Sequence, residues 1–536
     1  MSFDTRTYLV ANIALPLDAS AEEAFSVSLG VLRRLGVDCS GADFKIYRKS
    51  VDARKKKDIK LIFTVAVSGQ LPPLSSLGRS DGNVTELVKS TPEKVLGEEE
   101  LRGEVVIVGT GPAGMFAALY LAELGFKPLL LERGGDVKAR LRATELFREK
   151  RILDINSNIQ FGAGGAGTFS DGKLVTRIND PLSSYVLEKL VEFGAPKEIT
   201  YLARPHVGTD VLSVVVSNIL SRITELGGRV LYNTALKDIR VDGRGVSVAI
   251  TDKGEFKCAL MLLAIGHSAR DTYSMLMSRG VSFEAKQFSV GMRIEHLTSD
   301  IDKAMYGDFA EHPSLSHAEY NLSHNTKQRG VYTFCMCPGG IVVPAASEEG
   351  GVVTNGMSYH ARDGKNSNSA VVCSVFKEDY GSDPRAAIEF QRKIERAAYI
   401  SGGKDYTAPI ITVGDFLTDS LKCEPSRILP SYMDGGVRLC SPKDYLPSFV
   451  CEGIKNALFD FDKKISGFAA KDAILTGAET RTSAPVRITR EKESGLALGF
   501  DNLYPVGEGA GYAGGITSAA IDGLKAAINI AKRYKP

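Results

Sequence analysis

Residues 105–133, VVIVGTGPAGMFAALYLAELGFKPLLLER, constrain this chain more than any other segment, because strand, glycine turn, helix and second strand follow one another without a gap. The run Val105–Val108 has the continuous apolar character of a strand buried in a parallel sheet. Gly109, Gly111 and Gly114 then form G-x-G-x-x-G at its carboxyl end, with Pro112 and Ala113 between them. Gly109 permits the tight turn, Gly111 lets the backbone approach a pyrophosphate, and Gly114 lets the helix pack closely on the strand. Unpaired amides and the helix dipole favour negative charge there. Glu132, followed by Arg133, ends the second strand where a carboxylate accepts ribose hydroxyls. The unit predicts a bound adenine dinucleotide.

The far C-terminus selects among dinucleotides. Residues 502–506 read as a short buried strand, and 507–527, GEGAGYAGGITSAAIDGLKAA, as a glycine-rich loop entering a helix. If this segment returns to the first unit, Glu508 lies near the ribityl or pyrophosphate part of a flavin. Amides around Gly514, Gly515, Ile516 and Thr517 then cap a helix aimed at the pyrimidine edge of the isoalloxazine. Positive potential at that helix end stabilises the anionic reduced ring. The internal loop 162–167, GAGGAG, has too little side chain to build a core, so its value lies in left-handed backbone angles and close approach. Ser170, Asp171 and Lys173 place polar groups at its exit, with Lys173 a candidate to face flavin N1 or a phosphate.

VGTGPAGMFAALYLAELG, FGAGGAGTFSDGKL (161–174) and VGEGAGYAGGITSAAIDGLKAA together resemble the bacterial FAD-dependent dehydrogenases of the two-domain, glutathione-reductase-like flavoprotein class, in a branch with an extra N-terminal domain. The likeness spans most of the chain after about residue 100. It implies FAD, and it implies flavin contacts for Gly109, Gly111, Gly114, Glu132, Gly507, Glu508 and Gly515, with Gly164, Gly165, Thr168 and Asp171 as further positions.

The chain of 536 residues exceeds one hydrophobic core, so several domains are expected. Sixty-six Lys plus Arg against 64 Asp plus Glu give a formal charge of +2, which supplies no global field for nucleic acid or an acidic membrane. No signal-like segment and no membrane-length apolar stretch occurs, which predicts a cytoplasmic location. Eight cysteines include no C-x-x-C, and no metal site is expected. Cys335 and Cys337 form the one close pair. In a regular strand both would face the same side, either as two small buried residues or as redox thiols beside the flavin. Typical flavin disulfide reductases carry their cysteines on the helix after the first nucleotide fold, and this chain has none between Cys39 and Cys258.

Residues 8–15, 21–35, 44–51 and 59–67 read as strand, helix, strand, strand, the start of a ferredoxin-like α+β module. The basic run 54–57 fits a solvated hairpin tip, with a nucleic-acid contact as the dearer alternative. Residues 70–100 read as a linker enclosing one short helix. Farther on, 210–226 is an amphipathic helix, 229–241 a strand, and 245–252 and 255–263 strands of a β-meander, the last running into Gly266 near the adenosine. No second G-x-G-x-x-G follows, so NAD(P)H as reductant would have to work from the substrate side.

The fold expected is α/β: a Rossmann-like FAD-binding domain of parallel sheet plus meander, with an inserted α+β substrate domain and the N-terminal module. The boundaries are 1–98 for the module and linker, 99–280 for the first FAD part, 281–454 for the insert and 455–536 for the C-terminal FAD part. A flavin dehydrogenase needs a cation to hold an acidic substrate and a base to take a proton. Arg293, His296 and His206 suit those jobs by type, Cys335 as a thiol, and Arg481 by leading into the C-terminal glycine loop. The predicted activity is an FAD-dependent oxidoreductase acting on a small molecule. An NAD(P)H-dependent flavin reductase and a flavin-bearing RNA-modifying or RNA-binding protein are the alternatives.

Overall fold

Val105–Val108 is fully buried and forms the centre of a five-stranded parallel sheet. Across that sheet lie Leu503–Pro505, Leu260–Leu263, Val105–Val108, Leu129–Leu131 and Arg229–Leu231, in that order. The computed structural model describes residues 5–78, 80–87, 91–176, 180–433 and 435–536. The C-terminal strand is thus a direct neighbour of Leu260–Leu263, itself paired to the first strand, although more than two hundred residues separate them in sequence. Helices Pro112–Glu123, Thr209–Glu225 and Ile516–Arg533 bury their apolar side chains in one cluster on this sheet.

Two expected strands divide. The 229–241 segment becomes Arg229–Leu231 in the parallel sheet and Leu236–Asp242 in a three-stranded antiparallel meander. Likewise 255–263 becomes Gly254–Lys257 in the meander and Leu260–Leu263 in the parallel sheet. In both cases a few residues of turn let the chain leave one sheet for the other, which apolar pattern alone does not mark.

The second sheet has seven strands, with Phe288–Leu297 paired on one side to Asn366–Val375 and on the other to Ile474–Glu479. Helix Ser448–Lys464 packs on its face. Ile474–Glu479 lies between Phe288–Leu297 and Ala408–Thr412, so residues 455–479 belong with this sheet and the expected boundary at 454 is too early. The pair Phe283–Ala285 and Val486–Ile488 carries the chain into and out of this unit.

At the N-terminus Thr5–Leu15, Ala21–Arg34, Asp43–Asp52 and Lys60–Gln70 form as strand, helix, strand, strand, joined by Val84–Glu86 in a four-stranded antiparallel sheet. Ser20 and Glu23 close a reciprocal capping box at the helix start. Instead of a linker helix there is a single 3-10 turn, Leu74–Ser76; residues 79 and 88–90 of that segment lie outside the described residues. The edge strand pairs through Lys49 with Tyr201 and Ala203, by hydrogen bonds of 2.7 and 2.8 Å. Buried side chains of the module and of the seven-stranded sheet form one continuous cluster. Among the described residues no helix is long and apolar enough to cross a membrane.

Candidate active site

Both glycine-rich helix starts open into one cavity of about 1220 Å³. Its wall includes Gly109, Gly111, Pro112 and Ala113 from the first turn and Gly507, Glu508, Gly514, Gly515 and Ile516 from the last. Gly111 and Gly515 are the N-caps of Pro112–Glu123 and Ile516–Arg533, and neither helix start receives a side-chain cap. Their first amides therefore remain available to a ligand. The glycines divide by purpose. A Cβ on Gly114 would sit 2.0 Å from the Gly109 carbonyl oxygen, and one on Gly109, at φ +101°, 2.3 Å from that of Ala264. These two serve close packing and the turn, as expected. A Cβ on Gly111 would meet only Gly165 Cα at 3.8 Å, and one on Gly514 nothing within 4 Å. At those positions the protein itself has room for a side chain, so the space belongs to whatever fills the cavity.

Glu132 lines the cavity but is already engaged. One carboxylate oxygen accepts from the Thr110 amide (3.0 Å) and hydroxyl (2.6 Å), the other from the amides of Gly134 and Gly162 (3.0 Å each). That fills roughly the four acceptor positions of a carboxylate. Glu132 thus ties both glycine loops together, and these four donors take the positions that the sequence assigned to ribose hydroxyls. Arg133 lines the same region, stacked over Phe161 at 4.2 Å and paired with Asp271.

The 162–167 loop has the left-handed angles expected at Gly162, Gly164 and Gly165. What holds it is Arg140, which the sequence reading missed. This fully buried guanidinium donates to the carbonyls of Asn158, Ile159, Ala163 and Gly165 at 2.7–2.9 Å. Burial pulls its pKa down to about 9, against the pull of Glu132. A single Arg within a polar helix gives no sequence signal for this role. Gly165 reaches the cavity, but Gly164 and Thr168 turn towards Val216 and do not line it.

Asp171 and Lys173 both line the cavity, although Lys173 is not a free cation. Its ammonium donates to the Met336 carbonyl and lies 3.5 Å from Asp171 and 3.8 Å from Glu319. Asp171 is clamped by the Arg362 guanidinium as well; burial opposes its charge, but Lys173 and Arg362 prevail and hold its carboxyl low.

Of the five catalytic candidates, Cys335 and Arg481 line the cavity and Arg293, His296 and His206 do not. Fully buried His296 bonds the Phe468 carbonyl through Nε2, and burial pulls its pKa down. His206 is bonded to the His360 carbonyl and stacked on the His360 ring; burial and then Arg362 keep it neutral more strongly than usual. Arg293 is a completely buried hub. It pairs with both oxygens of Glu479 at 3.1 Å and donates to Asn368 (2.8 Å) and to the Cys335 carbonyl (3.0 Å). A Cβ on Gly356 would stand 2.1 Å from its Nη1, so that glycine makes the hub possible. Arg481 is held by Glu395 (3.1 and 3.2 Å) and Ser347. Arg270, also unmarked by sequence, shares Glu395 and adds Glu348. Between these guanidinium groups, His267 on the cavity wall is kept neutral: burial, then Arg481 and Arg270, push it down to about 3.

Cys335 departs from the expected alternation. A register shift between Phe334 and Cys337 breaks the strand Gly330–Cys337, and Cys335 takes a left-handed φ of +44°. The bulge sends Cys335 to the cavity and leaves Cys337 buried beneath it. The Glu508 carboxyl group, on the same wall, has no hydrogen bond or ion pair among the described residues, although its backbone carbonyl accepts from the Gly511 amide at 2.9 Å. Burial raises its pKa to about 7, Cys335 adding to the rise and Lys286 opposing it. Gly266 completes the wall beside the meander.

Residues 287–482 match the family described as FAD-dependent protein, C-terminal domain-like; residues 102–155 match an FAD binding domain, and 9–68 a domain of unknown function. An uncharacterized protein of Clostridium beijerinckii is 48% identical over 494 residues, covering 91% of this chain and 92% of its own. Among solved structures, glycine oxidase from Bacillus cereus aligns at 11% identity over 81% of this chain and 99% of its own, with a TM-score of 0.33. L-proline dehydrogenase from P. horikoshii aligns at 13% over 81% and 93%, also at 0.33. Such scores assign no substrate. With an FAD binding domain on the first glycine turn and a family-wide C-terminal domain on the second sheet, the chain belongs to this family of FAD-dependent proteins and is an FAD-dependent oxidoreductase.

Proposed function

We propose that the protein is a dehydrogenase that binds FAD non-covalently across the cavity, its pyrophosphate at the Gly111 helix start and its isoalloxazine end towards Gly514–Ile516. The observation that carries this reading is the opening of two uncapped helix starts, remote in sequence, onto one cavity. The residues fit the cofactor: Gly111, Gly514 and Gly515 leave room that no protein atom uses. FAD, when bound, supplies two-electron or one-electron transfer. The chain supplies the rest. Amides of the first helix hold the pyrophosphate, and Glu132 and Arg140 keep the two glycine loops in place beneath it. Arg133 with Phe161 offers a flat surface for the adenosine. The Ile516 helix start favours negative charge on the reduced ring.

The remaining volume, lined by Lys173, Arg204, Glu319, Asn321, Asn325 and Tyr332, receives a small polar substrate. Arg293 acts as a positioning residue, since it holds Glu479 and the backbone of Cys335, two residues of the cavity wall. The antiparallel strand order of the N-terminal sheet supports the ferredoxin-like reading, with the second helix of that plan replaced by a turn and loop. The inserted substrate domain spans residues 287–482, and the protein works in the cytoplasm. An anaerobic screen of the FAD-loaded protein against reduced nicotinamide cofactors, amines and hydroxy acids, followed by flavin absorbance, tests the reading. Bleaching by a member of one class supports a dehydrogenase or reductase of that class. A chain that retains no FAD refutes it.

A further inference from the structure

The two thiols at the bulge are arranged unlike the other six cysteines. All eight are free, but only Cys335 stands on the cavity wall. Cys337 lies directly behind it, and its Sγ folds back to 3.4 Å from the Cys335 carbonyl oxygen. Arg293 touches both: Nη1 donates to that carbonyl and lies 3.9 Å from the Cys337 sulfur. Lys173 reaches the carbonyl of the residue between them, Met336. One thiol therefore faces the cavity, a second is buried behind it, and two cations sit against the loop that joins them.

We propose that Cys335 and Cys337 are a redox dithiol of the flavin cavity that reduces a small polar disulfide, with Cys335 attacking and Cys337 resolving. The proposal rests on the FAD reading above. A hydrogen bond from the Cys337 thiol, then the Arg293 and Lys173 charges, hold the Cys335 thiol below its ordinary range, and the same coupling together with burial holds Cys337 above it. Thiolate in front and thiol behind is the protonation state that attack and resolution need.

The chemistry balances. Cys335 thiolate attacks one sulfur of R–S–S–R, the S–S bond breaks, and RS⁻ leaves. The Glu508 carboxyl, raised to about 7 and without a protein partner on the same wall, gives that thiolate its proton. Cys337 then attacks Cys335 Sγ, and its own proton goes to the second RS⁻. The products are two RSH and a 335–337 disulfide. Two electrons from reduced FAD and one proton restore the thiolate and thiol, and Glu508 is reprotonated from solvent. The exposed rim residues Arg204, Asn321, Ser323 and Asn325 suit a polar R group.

The test is electron and thiol counting on the FAD-loaded protein after oxidation with a polar disulfide. Anaerobic dithionite titration should consume four electrons per FAD in the wild type and two in Cys335→Ser, whereas Cys337→Ser should trap the R group as a mixed disulfide on Cys335, seen as added mass. In denaturant, titratable thiols should fall by two from the eight of the reduced chain, and peptide mass analysis should find the 335–337 link. An uptake of two electrons by oxidised wild type, with all thiols still titratable, overturns the proposal. Should the chain bind no FAD, the thiol count still decides whether the pair forms, so failure of the cofactor reading is told apart from failure of this one.

Discussion

Gly523 of the C-terminal helix rests on Ala113 of the first helix so closely that a Cβ would stand 2.0 Å from the Ala113 carbonyl oxygen. This backbone contact brings two remote glycine turns to one cavity. Gly523→Val must push the helices apart, because backbone cannot yield as a side-chain tip can. A loss of about 1–3 kcal/mol or more is expected, read as a lower Tm of the apoprotein together with weaker FAD binding. An unchanged Tm would show that the helices do not meet here.

Glu132 accepts four hydrogen bonds from three loop segments. Glu132→Gln keeps the shape but turns one acceptor into an NH₂ donor facing N–H groups. About 1–3 kcal/mol of stability should go with each buried donor left unpaired. Urea denaturation measures the loss, and proteolysis of the 156–167 loop should quicken. A full wild-type midpoint would mean that the carboxylate is not the tie.

Arg293 and Glu479 form a buried ion pair, both nearly without solvent exposure. Burial works against the Arg293 charge, and Glu479 more than offsets it. Arg293→Met strands Glu479 and the Cys335 carbonyl, at a cost of about 3–5 kcal/mol. Arg293→Met with Glu479→Gln should recover part of that stability. Equal midpoints for the single and double variants would contradict the pairing.

Glu508 gives the apoprotein a pH dependence of defined sign. Its carboxyl titrates near 4.5 unfolded and is pushed by burial to about 7 in the fold. Below 4.5 both states hold the proton and the contribution is intact. Between 4.5 and 7 the unfolded chain releases a proton that the folded one keeps, so stability falls as pH rises, by up to ~3 kcal/mol. Glu508→Gln should flatten that part of the Tm–pH curve. A wild-type curve that is flat from pH 5 to 8, or that rises through Glu508, would refute the assignment.

The legible parts of this molecule are those whose chemistry is local. Gly109 and Gly114 announce a turn and a close packing contact because a few neighbouring residues decide both. Residues 507–527 announce a glycine loop entering a helix in the same way. Cys335 was legible as a thiol but not as a wall residue, since its bulge depends on register against Asn366–Val375 and on Arg293 holding its carbonyl. The domain boundary escaped for a like reason: Ile474–Glu479 joins its sheet by pairing with Phe288–Leu297, far back in sequence. Arg140 and Arg270 carry no local signal, and only the assembled fold surrounds them with carbonyls and carboxylates. His296 and Arg293 misled by residue type, because burial settled both in structural bonds.

The most direct measurement is FAD stoichiometry and affinity in Gly111→Val and Gly515→Val beside the wild type. Neither glycine has protein backbone closer than 3.8 Å to a built Cβ, and neither has a left-handed φ, so both variants should fold with Tm values near that of the wild-type apoprotein. One FAD per wild-type chain is expected, with affinity lowered at least tenfold, ~1.4 kcal/mol, in each variant. Full FAD binding by either folded variant would contradict the claim that both helix starts hold the same cofactor.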